Sequence, residues 1–511
     1  MEQLIKELLD EPTKKRLSAL KLEYCTRTKK ALLSNAEIYL ACTAEQKKKL
    51  GPLLQMKPVR TAAGVSVVAV MTPRLSCPGN CIYCPQGEDS PKSYTGFEPA
   101  SRRAKSVGYD PKKQVLVRLR QFSDTGHDTE KVDLVIMGGT FPAQDKGFQE
   151  GFIKECLDGL NGKDSASLAE AMLLNETALH RCTGLTIETR PDYSRQEHVD
   201  SMLALGCTRV ELGVQSVYDE VLRFVKRGHL VADTAEATKA LKDSGLKVNY
   251  HIMPGLPLTT KEMDIEMFKT LFEDERFRPD MLKIYPCLVL KGTELYAMYK
   301  RGEFAPISTD EAVERIAKGI EYVPRYVRIM RMMRDIPLDL VEAGMDKSHL
   351  TDLVERKLAE DGKKCGCIRC REAGISRLKT GVEAESLELC EIKYRASGGE
   401  ERFISFEDTE KDILAAYLRL RLPESSKRPE IDGSCAIVRE LRVVGSSLRL
   451  GARSDVSKQH HGLGAELLRV AEAKASEMGK EKMLVTSAIG SRNYYRKFGY
   501  GLLGPYMAKK I

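Results

Sequence analysis

The chain is 511 residues long with a formal net charge of +8; hydrophobic residues make up 42% and charged residues 30%. That length implies two or three domains, and the apolar fraction is enough for real cores beneath a well-solvated surface. The 14 cysteines in so long a chain do not read as a disulfide framework, no amino-terminal apolar stretch resembles a signal peptide, and no run approaches a membrane span. The expectation is a soluble, reduced, cytoplasmic protein without a membrane partner.

Residues 1–60 read as a basic helical segment. Leu4, Leu8 and Leu9 keep helical spacing, and Lys47–Lys49 lie near a helix end. The segment holds 13 Lys and Arg against 7 Asp and Glu. A surplus of that sign suits a phosphate-rich partner; on charge alone an ordinary solvated helical face is the simpler reading.

Over 61–310 the period changes. β-rich runs at Ser66–Met71, Val132–Met137, Leu185–Thr189, Arg209–Val214, Lys247–Met253 and Met281–Tyr285 alternate with helical spacing. Six β/α units in succession predict an α/β fold with a parallel sheet curled into an incomplete (β/α)6 barrel. Eight units would close the barrel; six leave an opening for a large substrate. The first strand leads into Cys77-Pro-Gly-Asn-Cys81-Ile-Tyr-Cys84. Three thiolates at this C-x3-C-x2-C spacing can hold three irons of a [4Fe–4S] cluster and leave the fourth without a protein ligand. Such an iron can chelate S-adenosylmethionine and reduce it to a radical. A structural zinc site normally wants four ligands, and the closest downstream histidine is His127. Polar residues also mark the other strand ends: Gly138-Gly139-Thr140, Glu188-Thr189-Arg190, Glu211 running to Gln215, Asn249 with His251, and Lys283 with Tyr285. In a barrel the active site lies at those carboxyl ends.

Residues 311–376 read as a basic, helical linker. Arg325, Arg328, Arg331 and Arg334 recur every third residue, as one helical face or an exposed edge. Cys365, Cys367 and Cys370 follow and look like most of a zinc site. Cys287 is the first candidate for a fourth ligand, with His349 and Cys390 as alternatives; reduced buried cysteines are the plain reading. Residues 377–511 have the size of an independent domain, with strands at Leu387–Tyr394, Arg402–Phe406, Ile413–Leu420, Ile437–Val444 and Met483–Ser487 and a closing helix. Gln459-His-His-Gly462-Leu-Gly464 opens an amphipathic helix, where backbone N–H groups can cradle a pyrophosphate. This turn resembles the acetyl-coenzyme A loop of GNAT-type N-acetyltransferases. In that family, residues placed like Asn493, Tyr494 and Tyr495 contact coenzyme or donate a proton; core packing is the plain reading of the two tyrosines.

The order of these parts, with runs such as Ser93-Tyr-Thr-Gly-Phe-Glu-Pro, Thr186-Ile-Glu-Thr-Arg-Pro-Asp-Tyr193, Glu211-Leu-Gly-Val-Gln-Ser216 and Arg492-Asn-Tyr-Tyr-Arg-Lys-Phe-Gly-Tyr500, resembles the catalytic subunit family of the Elongator complex. The resemblance covers nearly the whole chain, from Lys57-Pro-Val-Arg60 onward. It implies a radical S-adenosylmethionine (SAM) barrel followed by a GNAT-type domain, and a transfer RNA uridine(34) carboxymethyl synthase. In that reaction the radical takes a hydrogen from the acetyl methyl of acetyl-coenzyme A. The carbon radical adds to C5 of the wobble uridine, and thioester hydrolysis leaves a carboxymethyl group.

The resemblance also assigns roles. Cys77, Cys81 and Cys84 fall to the cluster, Gly138 and Gly139 to the methionine amino group of SAM, and Glu188, Glu211 and Gln215 to its ribose and carboxylate. Lys283 faces the acyl group or substrate, or pairs with a carboxylate. Gln459, Gly462, Gly464, Asn493, Tyr494 and Tyr495 fall to acetyl-coenzyme A, the two tyrosines with a catalytic role. Partners implied are the tRNA anticodon loop and an external electron donor, with a stand-alone or homodimeric protein in a prokaryote and other Elongator subunits in a eukaryote. The spacer between the first two cluster cysteines is shorter than in many relatives, which leaves the specific substrate open. The main rival is a protein lysine acetyltransferase with the barrel as scaffold and Glu440 as base. A methylthiotransferase or porphyrinogen-oxidising enzyme leaves the last domain unexplained, and an RNA-binding scaffold leaves the intact sites unexplained.

Overall fold

The computed structural model describes residues 1–57, 61–62, 64–445 and 462–511. Four helices between Glu2 and Leu54 form a small unit with its own core of Leu4, Leu8, Leu20, Ile38 and Leu50. Two of them begin with capping boxes, Ser34 with Glu37 and Thr43 with Gln46, so their starts are written locally.

The central sheet contains β1 (Ser66–Met71), β2 (Lys131–Met137), β3 (Arg181–Thr189), β4 (Arg209–Gln215), β5 (Lys247–Ile252) and β6 (Met281–Ile284), each where the apolar runs predict a strand. All six are parallel and neighbours in chain order. After the short β7 (Val289–Leu290), a seventh parallel strand, β8 (Arg328–Met332), pairs with β6. The six expected strands form the incomplete barrel, and one further edge strand carries the sheet past residue 310. Of the two readings open for the arginine series, the edge holds for Arg328 and Arg331, which lie on a strand with one neighbour, where long charged side chains are tolerated. The two-residue β7 pairs with β9 (Val341–Ala343), and the helix Leu350–Glu360 packs against the helix Thr309–Ile320.

The last domain is a second seven-stranded sheet: β10 (Glu388–Ala396), β11 (Gly399–Asp408), β12 (Ile413–Leu422), β13 (Cys435–Val443), β14 (Lys482–Val485), β15 (Gly501–Leu503) and β16 (Tyr506–Lys510). Its pairs are antiparallel except β13 with β14, which run parallel over Cys435–Val438 and pair no further. The expected closing helix is five residues, Arg492–Arg496. A hairpin replaces the rest, laying β16 beside β14 with Tyr506 and Met507 fully buried. Gly499 and Gly504, both with positive φ, break the helical path there.

The two sheets share one apolar core, in which Leu246 and Leu282 of the barrel region join Phe403, Tyr417, Ile437 and Tyr506 of the last domain. Within it lies a fully buried ionic network. Arg439 binds Asp280 and Glu401, Arg421 binds Asp243 and Glu401, and Lys242 lies 3.4 Å from Asp280. Arg419 pairs with Glu440 at 2.9 Å and donates to the Tyr326 carbonyl at 2.7 Å. Buried charges of this kind persist only when paired and hydrogen-bonded, so the network fixes one docking geometry. Among the described residues, no helix is long and apolar enough to cross a membrane.

Candidate active site: two cavities at opposite ends of one barrel

At the carboxyl ends of the barrel strands, Cys77, Cys81 and Cys84 line one open cavity. Arg227 Nη1 donates to Cys81 Sγ at 3.4 Å. Burial opposes ionisation of that thiol, but the Arg227 charge and hydrogen bond outweigh it and hold Cys81 below the usual range. Ser93 Oγ lies 3.2 Å from Cys84 Sγ, and Thr140 Oγ1 lies 3.7 Å from Cys77 Sγ. Three thiols of one loop on one cavity, with a buried cation beside them, fit a [4Fe–4S] cluster with one open iron.

The loop after β2 turns through Gly138 at φ 121° and Gly139 at φ 69°. A Cβ on Gly138 would overlap Thr72 Oγ1, so the turn requires glycine there. Gln215, at φ 69°, closes β4 in the left-handed region and lines the same cavity. The register places Glu188 beside Glu211, and His251 beside Lys283. Lys283 bridges Glu211 and Glu188, the latter at 3.3 Å; His251 Nε2 lies 2.8 Å from Glu211, and Tyr94 Oη donates to Glu188 at 3.0 Å. Burial opposes both charges of the central pair, yet mutual attraction wins: Glu211 lies well below the carboxylate range and Lys283 above the usual amine range. Lys283 is therefore a fixed cation rather than a base.

Cys287 does not join the other three candidate zinc ligands. It is fully buried among Ile82, Val225, Met253 and Leu295 in a separate apolar cluster. Cys365, Cys367 and Cys370 bring their sulfurs within 4.8 Å of one another, and no fourth Cys, His, Asp or Glu completes that group among the described residues. Shared hydrogen bonds push Cys365 up and hold Cys367 well below the thiol range, a donor set that suits a soft cation. The arginine series divides. Arg325 and Arg328 pair with Glu407 and Glu372; Arg331 pairs with Asp335 and Arg334 donates to the Ser93 carbonyl, and both of these line the mouth cavity.

Beneath the barrel a second cavity lies where β13 and β14 part. Barrel-floor residues, among them Lys131, Asp133, Arg209 and Lys247, form one wall; Glu440, Arg442, Ser487 and Tyr495 belong to the other. Gly462, at φ 89°, caps the helix Leu463–Glu477, and a Cβ on Gly464 would come within 2.7 Å of Tyr494 Oη. Of the two tyrosines, Tyr495 lines this cavity; Gly462, Gly464 and Tyr494 are not among its lining residues. Gln459 lies outside the described residues. Asn493 turns away, donating to the Glu176 carbonyl at 3.1 Å. Glu440 is held at about pKa 2: burial would raise it, but Lys247, Arg419 and Arg442 outweigh that. It is a weak base.

Sequence reasoning assigned nothing to Arg227 or to Tyr94. Arg227 is 146 residues from its thiol, beyond any local motif. Tyr94 stands inside a family run, and that was its available signal.

The Radical SAM superfamily matches residues 72–271, and the Radical_SAM C-terminal domain matches 279–360. A tRNA uridine(34) acetyltransferase of Methanocaldococcus jannaschii is 50% identical over 100% of this chain and 98% of its own length. Elongator complex protein 3 of Drosophila melanogaster is 42% identical over 100% of this chain and 95% of its own. The solved Elp3 of the archaeon Methanocaldococcus infernus, with an amino-terminal deletion, superposes with a TM-score of 0.79 at 47% identity, covering 88% of this chain and 100% of that one. This chain belongs to the Elongator catalytic-subunit family of radical SAM enzymes with an acetyltransferase domain.

Proposed function

We propose that the protein carboxymethylates C5 of the wobble uridine of tRNA, using SAM at the barrel mouth and acetyl-coenzyme A at the barrel floor. The observation that carries this reading is the stacking of the two cavities on one barrel, locked by the Asp280 network. The names of the relatives supply the tRNA and the uridine. A [4Fe–4S] cluster on Cys77, Cys81 and Cys84, fed by an external electron donor, supplies a radical able to take hydrogen from an unactivated methyl group.

The chain's own residues do the rest. Gly138 and Gly139 let backbone approach the amino group of SAM, and Gln215 and Glu188 offer acceptors to its polar edge. Lys283, fixed as a cation by Glu211, attracts a carboxylate or carbonyl oxygen and keeps its proton. Arg331 and Arg334 at the mouth, with the exposed lysines of segment 1–60, hold phosphates of an anticodon loop without reading sequence. Gly462 and Gly464 receive the coenzyme pyrophosphate, and Tyr494 or Tyr495 donates to the leaving thiolate. Cys365, Cys367 and Cys370 supply three ligands to a structural zinc. The work divides among 1–60 (tRNA binding), 61–310 (the radical barrel), 311–376 (the cysteine-bearing linker) and 377–511 (acyl binding), in a cytoplasmic setting.

Protein lysine acetylation is the weaker reading. Glu440 is a poor base beside Arg419, and the barrel floor covers the acceptor side of the slot. The test is omission. Modified uridine should require SAM and acetyl-coenzyme A together; acetylation of peptides without SAM would favour the rival.

A further inference from the structure

The two cavities are separated by little more than one layer of side chains, and that layer is polar. Arg209 lines the floor cavity and Glu211, two residues along the same strand, lines the mouth cavity. Their side chains are 3.4 Å apart, and Arg209 also binds Asp133 at 3.0 Å. Register places Thr186, Arg209 and Lys247 side by side at one level, and Glu188, Glu211 and Asn249 side by side at the next. His251 and Lys283 pair above them.

Closed barrels fill this space with interlocking branched apolar residues. Here Asn249 has no exposed surface, and neither its amide nitrogen nor its carbonyl oxygen has a hydrogen-bond partner. Thr186 Oγ1 and Asp133 Oδ1 are likewise buried without one. Buried amides are almost always satisfied, so partnerless polar atoms on the path between two cavities mark a place for water or a small polar guest. Charged groups line both ends, Arg209 and Lys247 with Asp133 below and Lys283 with Glu211 and Glu188 above, so the path suits a small polar guest that can bond to cations. Lys247 has no ion pair among the described residues, and burial holds its amine below the usual range.

We propose that the barrel interior is a hydrated passage through which a two-carbon carboxylate, acetate, moves from the acyl slot to the radical cavity, with Asn249 as a positioning residue on its wall. This rests on the function proposed above and orders its steps. Water adds to the thioester carbonyl at the floor and the C–S bond breaks; Tyr494 or Tyr495 protonates the leaving thiolate and is reprotonated by one proton of the water, the other proton goes to solvent, and acetate remains. Arg209 and Lys247 receive it, Asn249 offers it a donor midway, and Lys283 holds it at the mouth. The fragment reaches the radical cavity without entering bulk solvent.

Asn249→Leu tests the passage, because it fills the lumen with an apolar group of similar size and breaks no protein hydrogen bond. With methyl-labelled acetyl-coenzyme A, SAM, reductant and tRNA, the variant should release coenzyme thiol and cleave SAM at rates close to the parent's. It should make labelled modified uridine about tenfold more slowly or worse. Asn249→Ala, which leaves room for water, should recover most of that rate. Labelled product at the parent rate in Asn249→Leu overturns the passage. Absence of labelled product from the parent protein instead overturns the underlying function. A second readout needs neither turnover nor a folded variant: a high-resolution density map of the parent chain crystallised with acetate. Water or acetate bonded to Asn249 supports the passage, and a dry lumen overturns it.

Discussion

Arg439 reaches from the acetyltransferase sheet to the base of the barrel and forks onto Asp280, its Nη1 and Nη2 2.7 and 2.6 Å from the two carboxylate oxygens. Both side chains are wholly buried. Truncating one partner strands charge in the interior. Arg439→Met is therefore expected to cost about 3–5 kcal/mol, read as a lower denaturant midpoint. The pH response has a definite sign. Arg439 and Lys242 hold Asp280 well below its ordinary value against the opposing effect of burial. A depressed carboxylate contributes stability above its unfolded value of about 4 and loses it as the pH falls. Acid should therefore weaken the parent protein more steeply than an Asp280→Asn variant.

Cys81→Ala removes the thiol that Arg227 holds. After reconstitution, iron content and visible absorbance should collapse and SAM cleavage should cease. Binding of tRNA, carried by the lysines of segment 1–60 and by Arg331 and Arg334 rather than by the thiol, should change by less than about threefold. Equal loss of binding would show that cluster and RNA surface are one site.

The sequence carried the parts of the molecule that local rules write. The six barrel strands stood out as apolar runs, and the cysteine loop and the Gly462–Gly464 turn were legible as short motifs. What it hid depends on distance. Arg227 finds Cys81 through 146 residues of intervening chain, and Arg209 meets Asp133 across two strand crossovers. The arginine series left helix and exposed edge undecided, because an edge strand carries arginine at a spacing that mimics a helix; Arg328 and Arg331 fall on β8. Cys287 was expected to join the second cysteine group on chemistry alone; burial with Val225 and Leu295 excludes it. Asn493 looked like a coenzyme contact and instead ties the last domain to the barrel region through Glu176.

Glu211→Gln should separate binding from assembly. It leaves the cluster loop untouched but removes the charge that fixes Lys283 and His251. Iron content should stay at the parent level, while SAM cleavage falls by about tenfold or more. In the parent, Lys283 lies above and Glu211 below the working range. The pair should therefore contribute no inflection to the rate profile between about pH 6 and 9.

The second cysteine group predicts its own metal. Protein with its iron removed should retain about one zinc per chain, lost in Cys367→Ser and on treatment with a strong chelator. Because the site packs against the barrel edge, loss of zinc should lower thermal stability before it lowers SAM cleavage.

The central claim is that the acetyl methyl gives up a hydrogen at the barrel mouth and then becomes part of the nucleoside. It is tested most directly with acetyl-coenzyme A carrying a trideuterated methyl group, in an anaerobic reaction with reconstituted protein, SAM, reductant and tRNA. Mass spectrometry should find deuterium in the 5′-deoxyadenosine and two deuterons in the carboxymethyl group of the modified uridine. Modified uridine formed while the deoxyadenosine stays free of deuterium would contradict the account.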